Sequence, residues 1–109
     1  MKLSLIKFIV NYSEKITEML TNIGDAESYD IAKARGNLAL GYTDALNTLI
    51  DTLDDKPIGE PNEPAEELEE LVCEWKHKIY TVVLMAAVKT CQPSEEISRV
   101  AELRNKWVR

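Results

Sequence analysis

Leu5, Ile9, Tyr12, Ile16, Met19 and Ile23 recur at a spacing of 4-3-4-3-4. That is the seam of one helical face, and Ser13, Glu14, Lys15, Thr17 and Glu18 fall off it. The pattern predicts a helix from about Leu3 to Asn22. A second reading is open at its start. Asn11 and Glu14 can form a capping pair, which would leave Leu3 to Val10 as a short strand. Gly24 follows the last periodic position, as a helix end expects. Asp25 or Ser28 can then cap a second helix. In that helix Ile31, Leu38, Tyr42, Ala45, Leu49 and Leu53 are expected to form the buried stripe. Gly36 and Gly41 lie inside it, each costing about 1 kcal/mol against alanine. With Ala32, Ala34, Ala39 and Ala45 they make a smooth surface. Close approach of a neighbouring helix, or of a ligand, would compensate.

Residues 54–64 hold three prolines and a glycine, which rule out a regular helix there. Pro64 suits the first turn of a third helix. Beyond it Leu68, Val72, Trp75, Ile79, Val82 and Ala86 again step 4-3-4-3-4, and Leu71, Val83, Met85 and Ala87 widen the stripe. The stretch from Ile79 to Val88 carries no charge at all. A helix apolar all round is buried on several sides, so this one is expected to be sheathed by the others. The β-branched cluster from Thr81 to Val83 leaves a strand as the alternative. Gln92-Pro93 stops the third helix. Ser94 is expected to cap a fourth, with Glu95–Arg99 and Glu102–Lys106 as favourable i,i+4 pairs.

The sum is an all-α, four-helix bundle in one domain covering residues 1–109. Hairpin one spans 3–53, a Pro-rich linker 54–64 and hairpin two 65–108.

Net charge is −6 and pI about 4.8, which argues against general attraction to nucleic acid or anionic lipid. The uncharged run is shorter than the roughly 20 residues that a membrane span needs. Met1 to Asn11 has a faint signal-peptide character, but Lys7 interrupts it and no small-residue cleavage site follows. Cys73 and Cys91 sit in apolar helical surroundings 18 positions apart, with no CxxC motif. Free buried thiols fit a reducing, cytoplasmic location.

A convergent catalytic set cannot be drawn. The single histidine, His77, is expected on the solvated side of the third helix, where it would have no catalytic role. There is no glycine-rich phosphate loop, HExxH motif or Ser/His/Asp set. Glu66, Glu67, Glu69 and Glu70 flank Leu68 and Leu71 and so should face water, not a metal. Neither enzyme activity nor a cofactor is expected.

The charge is uneven. Between Asp51 and Glu70 nine acids face one base, Lys56, while from Glu74 onward seven bases outnumber four acids. Acids at a helix start complement the macrodipole. They also make Asp54, Asp55, Glu63, Glu66, Glu67, Glu70 and Glu74 a candidate acidic face for a basic protein surface, such as one that normally holds nucleic acid. Ile6, Phe8 and Val10 lie off the first seam and need cover, so self-association as a homodimer or higher oligomer is an alternative to packing within one chain.

Residues 31–42, with Ala34-Arg35, Asn37-Leu38 and Gly41-Tyr42, resemble part of a helix in small phage proteins that sequester cyclic-nucleotide immune signals. The similarity covers about a dozen of 109 residues. It implies a helical oligomer that binds cyclic dinucleotides without cleaving them, through Lys33, Arg35 and Tyr42. In its short, acidic, motif-free character the chain also resembles phage-encoded inhibitors, anti-CRISPR proteins among them. The first expectation is therefore a phage-encoded protein that binds and inhibits a bacterial host defence protein. The alternative is a cyclic-nucleotide sponge.

Overall fold

The first seam is realised in α1 (Leu3–Gly24), and the remaining elements are α2 (Tyr29–Leu53), α3 (Glu63–Lys89) and α4 (Ser94–Asn105). A computed structural model describes residues 3–53 and 63–108, with side chains from Lys7 to Thr48 and from Glu69 to Val108. Residues 54–62, most of the expected linker, lie outside the described residues. No strand occurs among those described: Leu3 to Val10 and Thr81 to Val83 are both helical.

Ile16, Met19 and Ile23 bury the α1 seam, with Ile9 and Tyr12 packed at its edge. Tyr12 gathers the aromatic side chains. Its ring stacks on Trp75 at 5.6 Å and meets Tyr42 edge-on at 5.9 Å, geometries that add to area burial. Burial raises the Tyr12 pKa. Ser28 caps α2, its Oγ accepting from the Ile31 amide at 3.3 Å.

α2 turns a different face inward from the one its large residues suggest. The buried positions are Tyr29, Ala32, Gly36, Ala39, Thr43 and Leu46. Ile31, Leu38 and Ala45, expected inside, are exposed. The reason is distance. A Cβ added at Gly36 would sit 2.8 Å from Val83 Cγ2, so small residues set how closely α2 lies on α3. Thr43 satisfies its buried hydroxyl by donating to the Leu40 carbonyl at 2.7 Å.

α3 is the spine and packs against each of the other helices; the backbones of α1 and α4 do not meet. Its buried line is Val72, Trp75, Ile79, Val83 and Ala87. The 4-3-4 stripe read from the sequence leaves this line after Ile79, because a 3.5-residue repeat drifts about 20° per heptad on a straight helix. Val82 and Ala86 end at its edge. The uncharged run is helical but is not sheathed: Met85 is 65% and Val88 56% exposed.

At the α3 end, Cys91 takes a positive φ of 55°. Its amide donates to the Val88 carbonyl and that of Gln92 to Ala87, at 3.1 and 3.0 Å. This is the Schellman pattern, whose left-handed position glycine normally holds. Cys91 is thus exposed in a turn and Cys73 half-buried, neither in a disulfide, and neither is the buried helical thiol expected. α4 also starts differently. Pro93 is the N-cap, with no side-chain cap bond, and Ser94 is the first helical residue. Arg99 pairs with Glu96, one turn back, not with Glu95.

Candidate functional site

With α1, α2 and α4 all against α3, one side of α3 stays open. Helical register places positions 63, 67, 70, 74, 78, 81, 85 and 88 along that side. Glu70, Glu74 and Lys78 are exposed near its start, and Met85 and Val88 near its end. Glu74 and Lys78 pair at 3.0 Å. The face therefore passes from carboxylates to bare apolar surface over roughly three helical turns, with half-buried Thr81 between them accepting from Arg104 Nε of α4 at 3.0 Å. Of the expected acidic face, Asp54 and Asp55 lie outside the described residues. Glu63, Glu66 and Glu67 are in α3, but their side chains are not described.

Two concavities border this face. The first is a recess of about 360 Å³ lined by Glu70, Cys73, Glu74, His77, Trp107 and Val108. His77 is therefore half-buried beside two carboxylates, not simply solvated as the sequence suggested. The cause is the chain end. Trp107 folds back over α3, held by Lys76, whose Nζ lies 4.5 Å from the indole centroid and 3.3 Å from Asp44. Position alone thus admits His77 to acid–base chemistry, but a working base also needs a group to orient its ring. Its ring has no hydrogen-bond or ion-pair partner among the described residues, and no group of three His, Cys, Asp or Glu there could hold a metal ion. The second concavity is a groove of about 710 Å³ between the ends of α1 and α3, with Leu20, Ala26, Val82, Met85 and Ala86 on its walls.

The three ligand candidates of α2 are dispersed. Lys33 and Arg35 are two residues apart and so lie about 200° apart around the helix. Lys33 lines a cavity of about 210 Å³ between α2, α3 and α4. Arg35 lines a different one, between α1 and α2, and its Nη1 donates to the Asn22 carbonyl at 2.6 Å. Tyr42 belongs to the aromatic cluster.

Lys33 instead helps to dock α4. Its Nζ is 3.6 Å from Glu96 Oε1, which also accepts from Tyr29 Oη at 2.7 Å and from Arg99 Nη2 at 2.6 Å. The Arg99 and Tyr29 hydrogen bonds hold the Glu96 carboxyl down at about 2. Burial, then the hydrogen bond to Glu96, pushes the Tyr29 phenol up to about 12.

The sequence matches no known family model, and no curated protein or solved structure is detectably similar to it. Among the described residues no helix is long and apolar enough to cross a membrane.

Sequence reading missed Met85 and Val88 as surface residues. The signal was present: Met85 and Val88 continue the register that runs through Glu63, Glu67, Glu70 and Glu74. Their hydrophobicity assigned them to the core instead.

Proposed function

We infer that this chain works by contact: it is a non-enzymatic protein that docks a partner on the open side of α3 and inhibits it. The partner is a bacterial host protein with a basic surface of the kind that holds nucleic acid, with an apolar patch beside it. The chain itself is of phage origin and acts against a defence system, an assignment that draws on its resemblance to phage inhibitors. The observation that supports docking is the composite face, where Glu70 and Glu74 run into exposed Met85 and Val88. Carboxylates speed encounter with a cationic surface and select against anionic ones. Desolvated apolar anchors supply most of the affinity in such contacts. Exposed charge or exposed apolar surface alone would be commonplace; their succession along one side of α3, before and after the Arg104–Thr81 contact, favours a partner with both.

The test is capture from a bacterial lysate with the wild-type chain and two variants, one with Glu66, Glu67 and Glu70 changed to Lys and one with Met85→Glu. Each variant should lose a stoichiometric partner while keeping its helical circular dichroism. Capture that survives both changes removes the reading. A His77→Gln variant should still inhibit the captured partner; loss of inhibition with binding intact would move the activity to the recess. The small-ligand alternative has no comparable observation in its favour, since Lys33, Arg35 and Tyr42 face separate surroundings.

A further inference from the structure

The outward side of α2 carries a second heptad. With Ile31 at position a, the a and d positions are Ile31, Ala34, Leu38, Gly41 and Ala45, and all five are exposed. Ile31 is 39% and Leu38 61% exposed. None of the five is charged, and the strip runs some 20 Å along the helix. The b and f positions are the ones turned into the core. A seam of this spacing is the surface by which helices pair, and among the described residues all five of its positions stay exposed.

We propose that a second copy of this chain docks there, α2 against α2, the two helices side by side and pointing the same way. The flanking charges select both the occupant and the direction. In a parallel pair each g residue faces the e residue five positions further on in its neighbour. Here that sets Asp30 of each copy opposite Arg35 of the other, two cross-pairs from a single two-fold axis. Asp30 is exposed and has no ion pair among the described residues. Arg35 gives one N–H to the Asn22 carbonyl and keeps the rest of its five donors. An antiparallel pair would face g against g, bringing Asp30 toward Asp44 of the other copy, two carboxylates together. Asp44 is in any case engaged by Lys76 within its own chain.

The shape agrees with the charge. A Cβ built on Gly41 meets nothing within 4 Å, so space is open beside it. Leu38 of one copy enters the hole between Ala34, Asn37, Leu38 and Gly41 of the other, as a knob in a parallel seam does. Small residues at the d positions let the axes come near the close end of the usual 8–10 Å range. This surface is distinct from the open side of α3, so the proposal stands or falls apart from the docking reading above.

The test is sedimentation equilibrium of the full chain from about 1 to 100 μM, with circular dichroism on every variant. The expected species is a dimer. Leu38→Glu should weaken it by about 100-fold or more, as loss of a central anchor does, with helicity unchanged. Asp30→Lys and Arg35→Glu should each weaken it by about tenfold, and the two together should restore it to within about threefold. A chain that stays monomeric throughout, or a dimer indifferent to Leu38→Glu, overturns the proposal. A dimer lost in Leu38→Glu but not rescued by the paired charge swap overturns the parallel arrangement. Leu38→Asn serves as a second variant should the glutamate alter folding.

Discussion

Gly36 and Gly41 are five residues apart on the same helix and meet opposite surroundings. At Gly36 the α2 backbone lies against Val83, and a methyl group would collide with it at 2.8 Å. At Gly41 the same methyl would enter open space. The two positions sample the inner and outer faces of α2, and around the middle of the helix these faces invert the usual assignment of size. Between Tyr29 and Leu46 the inner face is built of the small residues Ala32, Gly36, Ala39 and Thr43, and the outer carries Ile31 and Leu38. Depth in this protein follows how near two backbones can come, and hydrophobicity alone does not reveal it. A helix with small residues on one side and large ones on the other has two plausible interiors, and only the neighbouring helix decides between them.

Substituting at the two positions tests the contrast most directly. Gly36→Ala should destabilise the fold by about 1–2 kcal/mol in chemical denaturation. Overpacking typically costs 1–3 kcal/mol, and improved helix propensity returns part of that. Val83 is β-branched and has few rotamers to which it can retreat. No loss of stability would mean that α2 and α3 lie further apart than described. Gly41→Ala should do the reverse and stabilise by up to about 1 kcal/mol. It is best measured in a Leu38→Glu background, so that any association through the outer face does not enter the reading. A destabilising result there would place Gly41 against something.

The smallest effect concerns the polar end of the inner face, where Glu96 reaches Tyr29 and Lys33. A carboxylate held at about 2 against an ordinary 4.5 contributes stability that is complete above pH 4.5 and is lost as the pH falls toward 2. Tyr29, raised from 10 to about 12, works at the opposite extreme, its contribution fading as the pH climbs through that interval. Glu96→Gln should flatten the acid limb of the stability profile between pH 4.5 and 2. An unchanged slope would show that α4 docks without this network.

The four helices were legible because each has an apolar period and three recognisable stops separate them: Gly24 with Asp25, the prolines of 54–64, and Gln92-Pro93. The α1 seam was legible in detail because Ile16, Met19 and Ile23 are large as well as periodic. The inner side of α2 was not, since Ala32, Gly36 and Ala39 give little hydrophobic signal. The exposure of Met85 and Val88 was also hidden. Whether a residue late in α3 is covered depends on where α4 comes to rest, and that is set by contacts such as Arg104 to Thr81 at 3.0 Å, between residues 23 apart in sequence. His77 shows the same limit. Its surroundings are completed by Trp107, thirty positions away, through a cation–π contact that no local pattern announces. The acidic segment was plain in the composition, but its continuation into an apolar surface required the fold.

That a single helix touches all three of its companions has a practical corollary. A break introduced between residues 53 and 63 severs the chain outside the four described helices. The two fragments would have to find one another in solution to complete either half. The protein is thereby a natural candidate for splitting into complementing pieces whose reunion reports on whatever is fused to them.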